Sequence, residues 1–188
     1  EHSDPMVQRG AELIMRSVDR AVQMCQSALS VGTAPEYRPQ RERFTLGELV
    51  REIEAAVGAG EAVETTLDAP GADHVVLDAD YDQLFRILLN LIRNALTAGA
   101  RCVSVLGQRP GDEVRIDVGD DGPGIPVDVR GQLFSEKYSG RSHTAAGLGL
   151  AIAWELVRNH GGELTLQQSD ANGTVFRITI PDPDYSSP

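Results

Sequence analysis

The stretch from Asp80 to Ala98 constrains the fold more than any other part of the chain. Leu84, Ile87, Leu88, Leu91, Ile92 and Ala95 recur at steps of one, three and four, which builds one broad apolar face on a helix. Such a helix must bury its stripe against a second layer. The flanking segments supply one. Arg101–Gln108 and Glu113–Val118 alternate like the arms of a hairpin around Pro110-Gly111, and Glu163–Gln168 and Thr174–Ile180 do so around Asn172-Gly173. Arg43–Leu46, Ala62–Leu67 and His74–Leu77 read as shorter strands, the last two on either side of Pro70-Gly71. Two further helices are expected. One carries Leu46, Leu49, Val50, Ile53, Ala56 and Val57 and stops at Gly58–Gly60; the other runs from Leu148 to His160 and stops at Gly161-Gly162. Helices and hairpins mixed in this order give an α+β domain.

Ahead of this domain lies a different kind of helix. Val7, Ala11, Ile14, Val18, Ala21, Cys25 and Ala28 step by four and three, the seam of a helical bundle. Pro5 suits its first turn and Gly32 its end. We read it as half of a helical hairpin, the plainer alternative being one amphipathic helix packed on its own domain. Pro35 and Pro39 mark a linker. The expected organisation is residues 1–33 as a bundle helix, 34–43 as linker, 44–181 as the α+β domain and 182–188 as a tail.

The net charge of −11 argues against a nucleic-acid partner, which requires a basic face. It does not argue against a nucleotide, because local donors and a bound cation outweigh net charge at a phosphate site. The two cysteines, Cys25 and Cys102, have no zinc-type spacing and cannot make a disulfide framework. They fit a reducing, cytoplasmic setting. No run approaches the ~18 apolar residues of a membrane span, although a longer parent protein could still carry an anchor.

Three motifs carry chemistry. Asn90 and Asn94 sit four apart on the oily helix and therefore share a face. Their carbonyl oxygens could hold Mg²⁺ and its waters, or the pair could simply face solvent. Asp120-Asp121-Gly122-Pro123-Gly124-Ile125 follows a strand directly. A carboxylate there can accept from an adenine amino group, with glycines allowing close approach, or the segment could be a surface turn. Gly147-Leu148-Gly149-Leu150 opens a helix, whose free N–H groups favour phosphate. It is neither a Walker A loop nor a dinucleotide fingerprint.

Taken in order, these motifs resemble the family of gyrase, heat-shock chaperone, MutL-type and histidine-kinase ATPases, which share the Bergerat nucleotide-binding fold. The resemblance covers about Phe44 to Pro181. The histidine kinases are the most similar branch. Asn90 stands where gyrase-like members carry a catalytic glutamate, Leu133-Phe134-Ser135 resembles the kinases' phenylalanine box, and a bundle helix lies upstream. The resemblance implies a two-layer α/β sandwich, with a mixed sheet packed on three helices. It implies Asn94 as Mg²⁺ ligand with Asn90 assisting, and Asp120 as reader of adenine. Gly122 and Gly124 would shape the nucleotide wall. Gly147 and Gly149, with Leu148 between them, would wrap the phosphates, Ile125 and Leu150 would also belong to the ATP site, and Thr174 would support Asp120. Residues 137–146 would form a lid, with Lys137 and Arg141 as candidate phosphate contacts. Where many members carry a lysine, this chain has Thr97, and Arg93 is the candidate replacement.

The implied activity is that of a two-component sensor histidine kinase, with ATP and Mg²⁺ bound here. The γ-phosphoryl would pass to a histidine on the dimerisation domain and then to an aspartate of a response-regulator receiver. A homodimer would form through the bundle helix in the parent protein. None of His2, His74, His143 and His160 has an acceptor context, His160 being placed where its charge could offset a helix dipole. The acceptor is therefore expected outside this chain. The alternatives are a non-catalytic phosphotransfer or scaffold protein that kept the fold, and a serine kinase of the anti-sigma-factor type.

Overall fold

The computed structural model describes residues 39–58, 66–134 and 145–182. All of them belong to one unit, Arg38–Pro188. The bundle-helix reading of residues 1–33 lies outside the described residues.

The main sheet has five strands in the order β2-β4-β5-β7-β6. These are β2 (Thr66–Asp68), β4 (Cys102–Gln108), β5 (Glu113–Asp120), β6 (Glu163–Asp170) and β7 (Gly173–Pro181). β2 runs parallel to β4, and every other pairing is antiparallel, so the sheet is mixed. A separate two-stranded ribbon joins β1 (Arg41–Thr45) to β3 (Val76–Asp80). The strands flanking Pro70-Gly71 thus go to different sheets. The linker reading had extended to Arg43, but pairing begins at Arg41, whose guanidinium donates to the carbonyls of Asp78 and Pro181.

Helix α1 (Leu46–Gly58) opens with a reciprocal cap. Thr45 Oγ1 accepts from the Glu48 N–H at 3.2 Å, and Glu48 Oε2 accepts from the Thr45 N–H at 2.7 Å. Helix α2 (Tyr81–Thr97) starts at Asp80, whose Oδ1 accepts from the Gln83 N–H at 3.0 Å. It ends in a Schellman turn at Gly99, φ 99°, with the Ala100 N–H donating to the Ala95 carbonyl. A single turn, α3 (Val127–Arg130), precedes α4 (Ala145–Asn159), which stops at Gly161 in the same manner.

Strand alternation sends Val103, Val105, Val114, Ile116, Val118, Phe176, Ile178 and Ile180 to one face. There they meet Leu49, Ile53, Leu84, Ile87, Leu88, Leu91, Ala153 and Val157 from the three long helices. Burying each such aliphatic side chain contributes roughly 1.5–3 kcal/mol, which is what holds the layers together. The opposite face is partly exposed and carries cross-strand pairs such as Arg177 with Asp117. The expected two-layer sandwich on three helices is therefore what the chain forms.

The far end of the domain is tied by Asp182, 1% exposed, which forms an ion pair with Arg109 and whose N–H donates to the Asp112 carbonyl. That residue had been read as the start of the tail; the buried ion pair makes it part of the fold.

Candidate functional site

Two groups of residues, far apart in sequence, are each drawn together. The first lies between α2 and α4. Asn90 and Asn94 project from the same face of α2, and both are half-buried. Gly149, within the first two turns of α4, packs directly on them. A Cβ added at Gly149 would lie 3.2 Å from Asn94 Oδ1 and 3.4 Å from Asn90 Oδ1. Both amide oxygens therefore converge on one point beside the amino end of a helix. Helix starts leave four N–H groups without intrahelical partners. Oxygen donors and N–H donors meeting at one place suit a hard cation and the anion it carries.

The expected start of α4 was Leu148, but helical backbone begins at Ala145. The Gly-x-Gly motif thus lies inside the helix start, not ahead of it. Gly147 and Leu148 are helical in backbone there. Leu150 is 5% exposed and packs in the core with Ala153 and Val157, at helical spacing. Leu150, expected among the ATP-binding residues, thus has a core side chain. Lys137, Arg141 and the rest of the expected lid up to residue 144 lie outside the described residues. Arg93 is half-buried on α2.

The second group closes the end of the sheet. Register places Asp120 opposite Thr174 and Thr174 opposite Ser169, so these three side chains form one row across β5, β7 and β6. Asp120 Oδ1 accepts from the Gly122 N–H at 2.8 Å. Burial pushes the Asp120 carboxyl above its ordinary range; the N–H groups of Gly122 and Thr174 oppose this, and the Asp121 charge adds to it. Gly122 is needed because a Cβ there would sit 2.9 Å from Asp120 Oδ1.

The two other glycines of this group answer to packing. A Cβ at Gly124, φ 76°, would lie 2.1 Å from the Asp170 carbonyl oxygen. A Cβ at Gly173, φ 136°, would lie 1.8 Å from the Asp120 carbonyl oxygen. The final hairpin thus lies flush on the loop after β5. The turn itself is Ala171-Asn172, one residue earlier than Asn172-Gly173, because Gly173 already pairs with Asp170.

Four residues here were not singled out in the sequence. Asp121 Oδ1 accepts from the Arg101 and Cys102 N–H groups at 2.7 and 2.9 Å, fastening β5 to the start of β4. Those N–H bonds hold its carboxyl below the ordinary range. Ser169 Oγ accepts from the Ile125 N–H at 2.7 Å and lies 3.3 Å from Thr174 Oγ1. Arg130 Nε donates to the Ile125 carbonyl at 2.7 Å. Ala100, at the end of α2, lies under Gly122. The sequence carries no signal for Ser169: a turn at Asn172-Gly173 would set it opposite Phe176, and it meets Thr174 because the turn lies one residue earlier.

The chain leaving α2 links the two groups: Ala100, which follows Gly99, packs under Gly122, and its N–H returns to the carbonyl of Ala95, the residue after Asn94. His160 plays no part: its Nε2 accepts from the Asp80 N–H at 3.3 Å and its Nδ1 bonds the Leu156 carbonyl at 2.9 Å. Both ring nitrogens are thus engaged at the carboxyl end of α4.

Among the described residues, no helix is long and apolar enough to cross a membrane. Among the same residues, no cluster of three or more His, Cys, Asp or Glu side chains could hold a metal ion by itself.

Comparison with known proteins agrees with this geometry. Residues 79–184 match the family described as histidine kinase-, DNA gyrase B- and HSP90-like ATPase. The chain is 33% identical to the signal transduction histidine-protein kinase AfsQ2 of Streptomyces coelicolor, over 95% of this chain and 34% of that protein. It is 29% identical to the sensor histidine kinase TmoS of Ectopseudomonas mendocina, over 94% of this chain and 18% of that one. The chain thus spans about a third of the first relative and under a fifth of the second. Among solved structures, the catalytic domain of histidine kinase ThkA is similar with a TM-score of 0.64 and 26% identity, over 76% of this chain and 96% of that one. With a half-buried carboxylate at the end of β5, two amides facing a helix start and these relatives, the chain belongs to the histidine kinase-, DNA gyrase B- and HSP90-like ATPases, on the sensor histidine kinase side of that family.

Proposed function

We propose that this chain is the ATP·Mg²⁺-binding catalytic region of a two-component sensor histidine kinase. Its task is to present the γ-phosphoryl of ATP to a histidine of the dimerisation domain, for relay to an aspartate of a response regulator. ThkA has been crystallised in complex with the response regulator protein TrrA, and that structure shares this fold at 23% identity and a TM-score of 0.70. The observation that carries the proposal is the convergence of the Asn90 and Asn94 oxygens on Gly149.

In this reading Asp120 accepts from the adenine amino group, and Thr174 braces that end of the site. Gly122 and Gly124 keep the loop low enough for the base to lie on it. Asn94, assisted by Asn90, holds Mg²⁺, which neutralises phosphate charge as the phosphoryl group departs. The amino end of α4, with Gly147 and Gly149, faces the phosphates with N–H groups. Residues 1–33 supply a bundle helix through which two copies of the parent protein pair. The chain is the enzyme's ATP side, working in the cytoplasm, whether or not the parent is anchored.

The acceptor histidine lies elsewhere in the parent. His160 is 7% exposed with both ring nitrogens engaged, and His74 ends a short 3₁₀ turn. Calorimetric titration with ATP in Mg²⁺ and in EDTA tests the binding half; Mg²⁺-dependent binding is expected. Incubation with γ-labelled ATP tests the rest. We expect this chain alone to gain no acid-labile phosphate, and strong labelling would place the acceptor within it. Failure to bind ATP would end the proposal.

A further inference from the structure

We infer that Ser169 is a positioning residue for the base-binding end of the site, acting through Thr174 and the Ile125 backbone without touching the ligand. The inference rests on the ATP-binding reading above. Asp120, Thr174 and Ser169 form a single inward row across three strands. Thr174 and Ser169 are 4% and 8% exposed, so water does not supply their partners freely. A hydroxyl carries one proton and two lone pairs. One lone pair of Ser169 takes the Ile125 N–H, and its hydroxyl shares a hydrogen bond with Thr174 Oγ1 in which either oxygen can donate. Thr174 in turn sits opposite Asp120.

The same bond sets the height of the loop. Ile125 follows Gly124 directly, and Gly124 is pressed on the Asp170 carbonyl next to Ser169. Gly173 is pressed on the Asp120 carbonyl from the other side. Of these three fastenings, two are backbone on backbone, and only the Ser169 hydroxyl is a side chain. It ties the loop that follows Asp120 to β6, beside Thr174 on β7. Losing it would loosen base recognition and leave the Asn90–Asn94 end, on other elements, unchanged.

The test compares ATP with ITP, which keeps the triphosphate and ribose but replaces the adenine amino group with a carbonyl. Calorimetry with Mg²⁺ and thermal unfolding are measured for the unsubstituted chain, Ser169→Ala and the near-isosteric Ser169→Cys. Removing one neutral hydrogen bond should weaken ATP binding about three- to ten-fold. ITP affinity should change much less, so the preference for ATP narrows in both variants. Equal losses for the two nucleotides, or no loss for either, would overturn the inference. If neither variant folds, the hydroxyl is a fold element and the inference is likewise overturned. If the unsubstituted chain itself binds neither nucleotide, the ATP reading has failed first, and this inference falls with it.

Discussion

Gly149→Ala separates binding from stability better than any other single change. In an ordinary helix, alanine is favoured over glycine by about 1 kcal/mol. Here the new methyl would stand 3.2 Å from Asn94 Oδ1 and 3.4 Å from Asn90 Oδ1, tighter than most real contacts but short of a hard clash. Both asparagines are half-buried, so they can yield by a few tenths of an ångström. Strain and propensity therefore nearly cancel, and the folding free energy should stay within about 1 kcal/mol of the unsubstituted chain. The methyl nevertheless fills the point on which both amide oxygens converge. Displacing one charge-assisted contact there costs about 1.5–3 kcal/mol, or roughly ten- to a hundred-fold in ATP·Mg²⁺ affinity. Thermal unfolding and calorimetry on the same samples read the two quantities. An unchanged affinity in Mg²⁺ would refute the placement of the phosphate end. A loss of affinity matched by a collapse in stability would mean that Gly149 serves helix packing alone.

Asp120→Asn should raise the melting temperature at neutral pH and weaken ATP binding, measured by unfolding and titration. The folded carboxyl is raised above its ordinary range, so its contribution to stability is complete below that range and is lost as pH rises through the folded value. The gain over the unsubstituted chain should therefore vanish in acid; a gain that persists there would contradict the assignment. Asp121 works with the opposite sign. Its carboxyl is lowered, so its contribution is present at neutral pH and is lost as pH falls through the depressed value. Asp121→Ala should lower the melting temperature at pH 7, and the deficit should shrink at pH values where the aspartate is protonated. His160→Ala leaves the buried Asp80 N–H without its acceptor and should cost about 1–3 kcal/mol in chemical denaturation, with ATP affinity of the folded protein unchanged.

Much of the fold was legible because its signals are local and repeated. The stripe on Asp80–Ala98 and the glycines at 99 and 161 define helices whose carboxyl ends match to a residue, although α4 starts three residues ahead of Leu148. Both long hairpins were visible in their alternation. The partners of β2 and β3 were not, since strands of three and five residues carry too little pattern to choose a sheet. Leu150 shows the limit of motif reading. It sits in a phosphate-type motif, yet helical period sends its side chain to the core beside Ala153. Ser169 shows the opposite failure. Nothing in its neighbourhood marks it, and its contact with Ile125 spans 44 residues and depends on register. Asp121 was hidden by its neighbour, because adjacent carboxylates at a strand end look alike until one is seen to hold β4 and the other to face the site.

The division of labour between those two carboxylates follows from their settings. Adjacent aspartates at a strand end point to opposite sides. One side offered two free N–H groups at the start of β4, which satisfy and stabilise the charged form of Asp121. The other side is the inward face, where the environment disfavours charge and only the Gly122 and Thr174 N–H groups offset it. A half-buried carboxylate held above its ordinary range keeps acceptor capacity for a ligand that donates hydrogen. An adenine amino group is such a donor, and it is neutral, so it completes the carboxylate without adding a charge to be desolvated. Asp120 and Asp121 are therefore not interchangeable: the outward carboxylate spends Oδ1 on the Arg101 and Cys102 N–H groups and stands away from the inward row that holds Thr174.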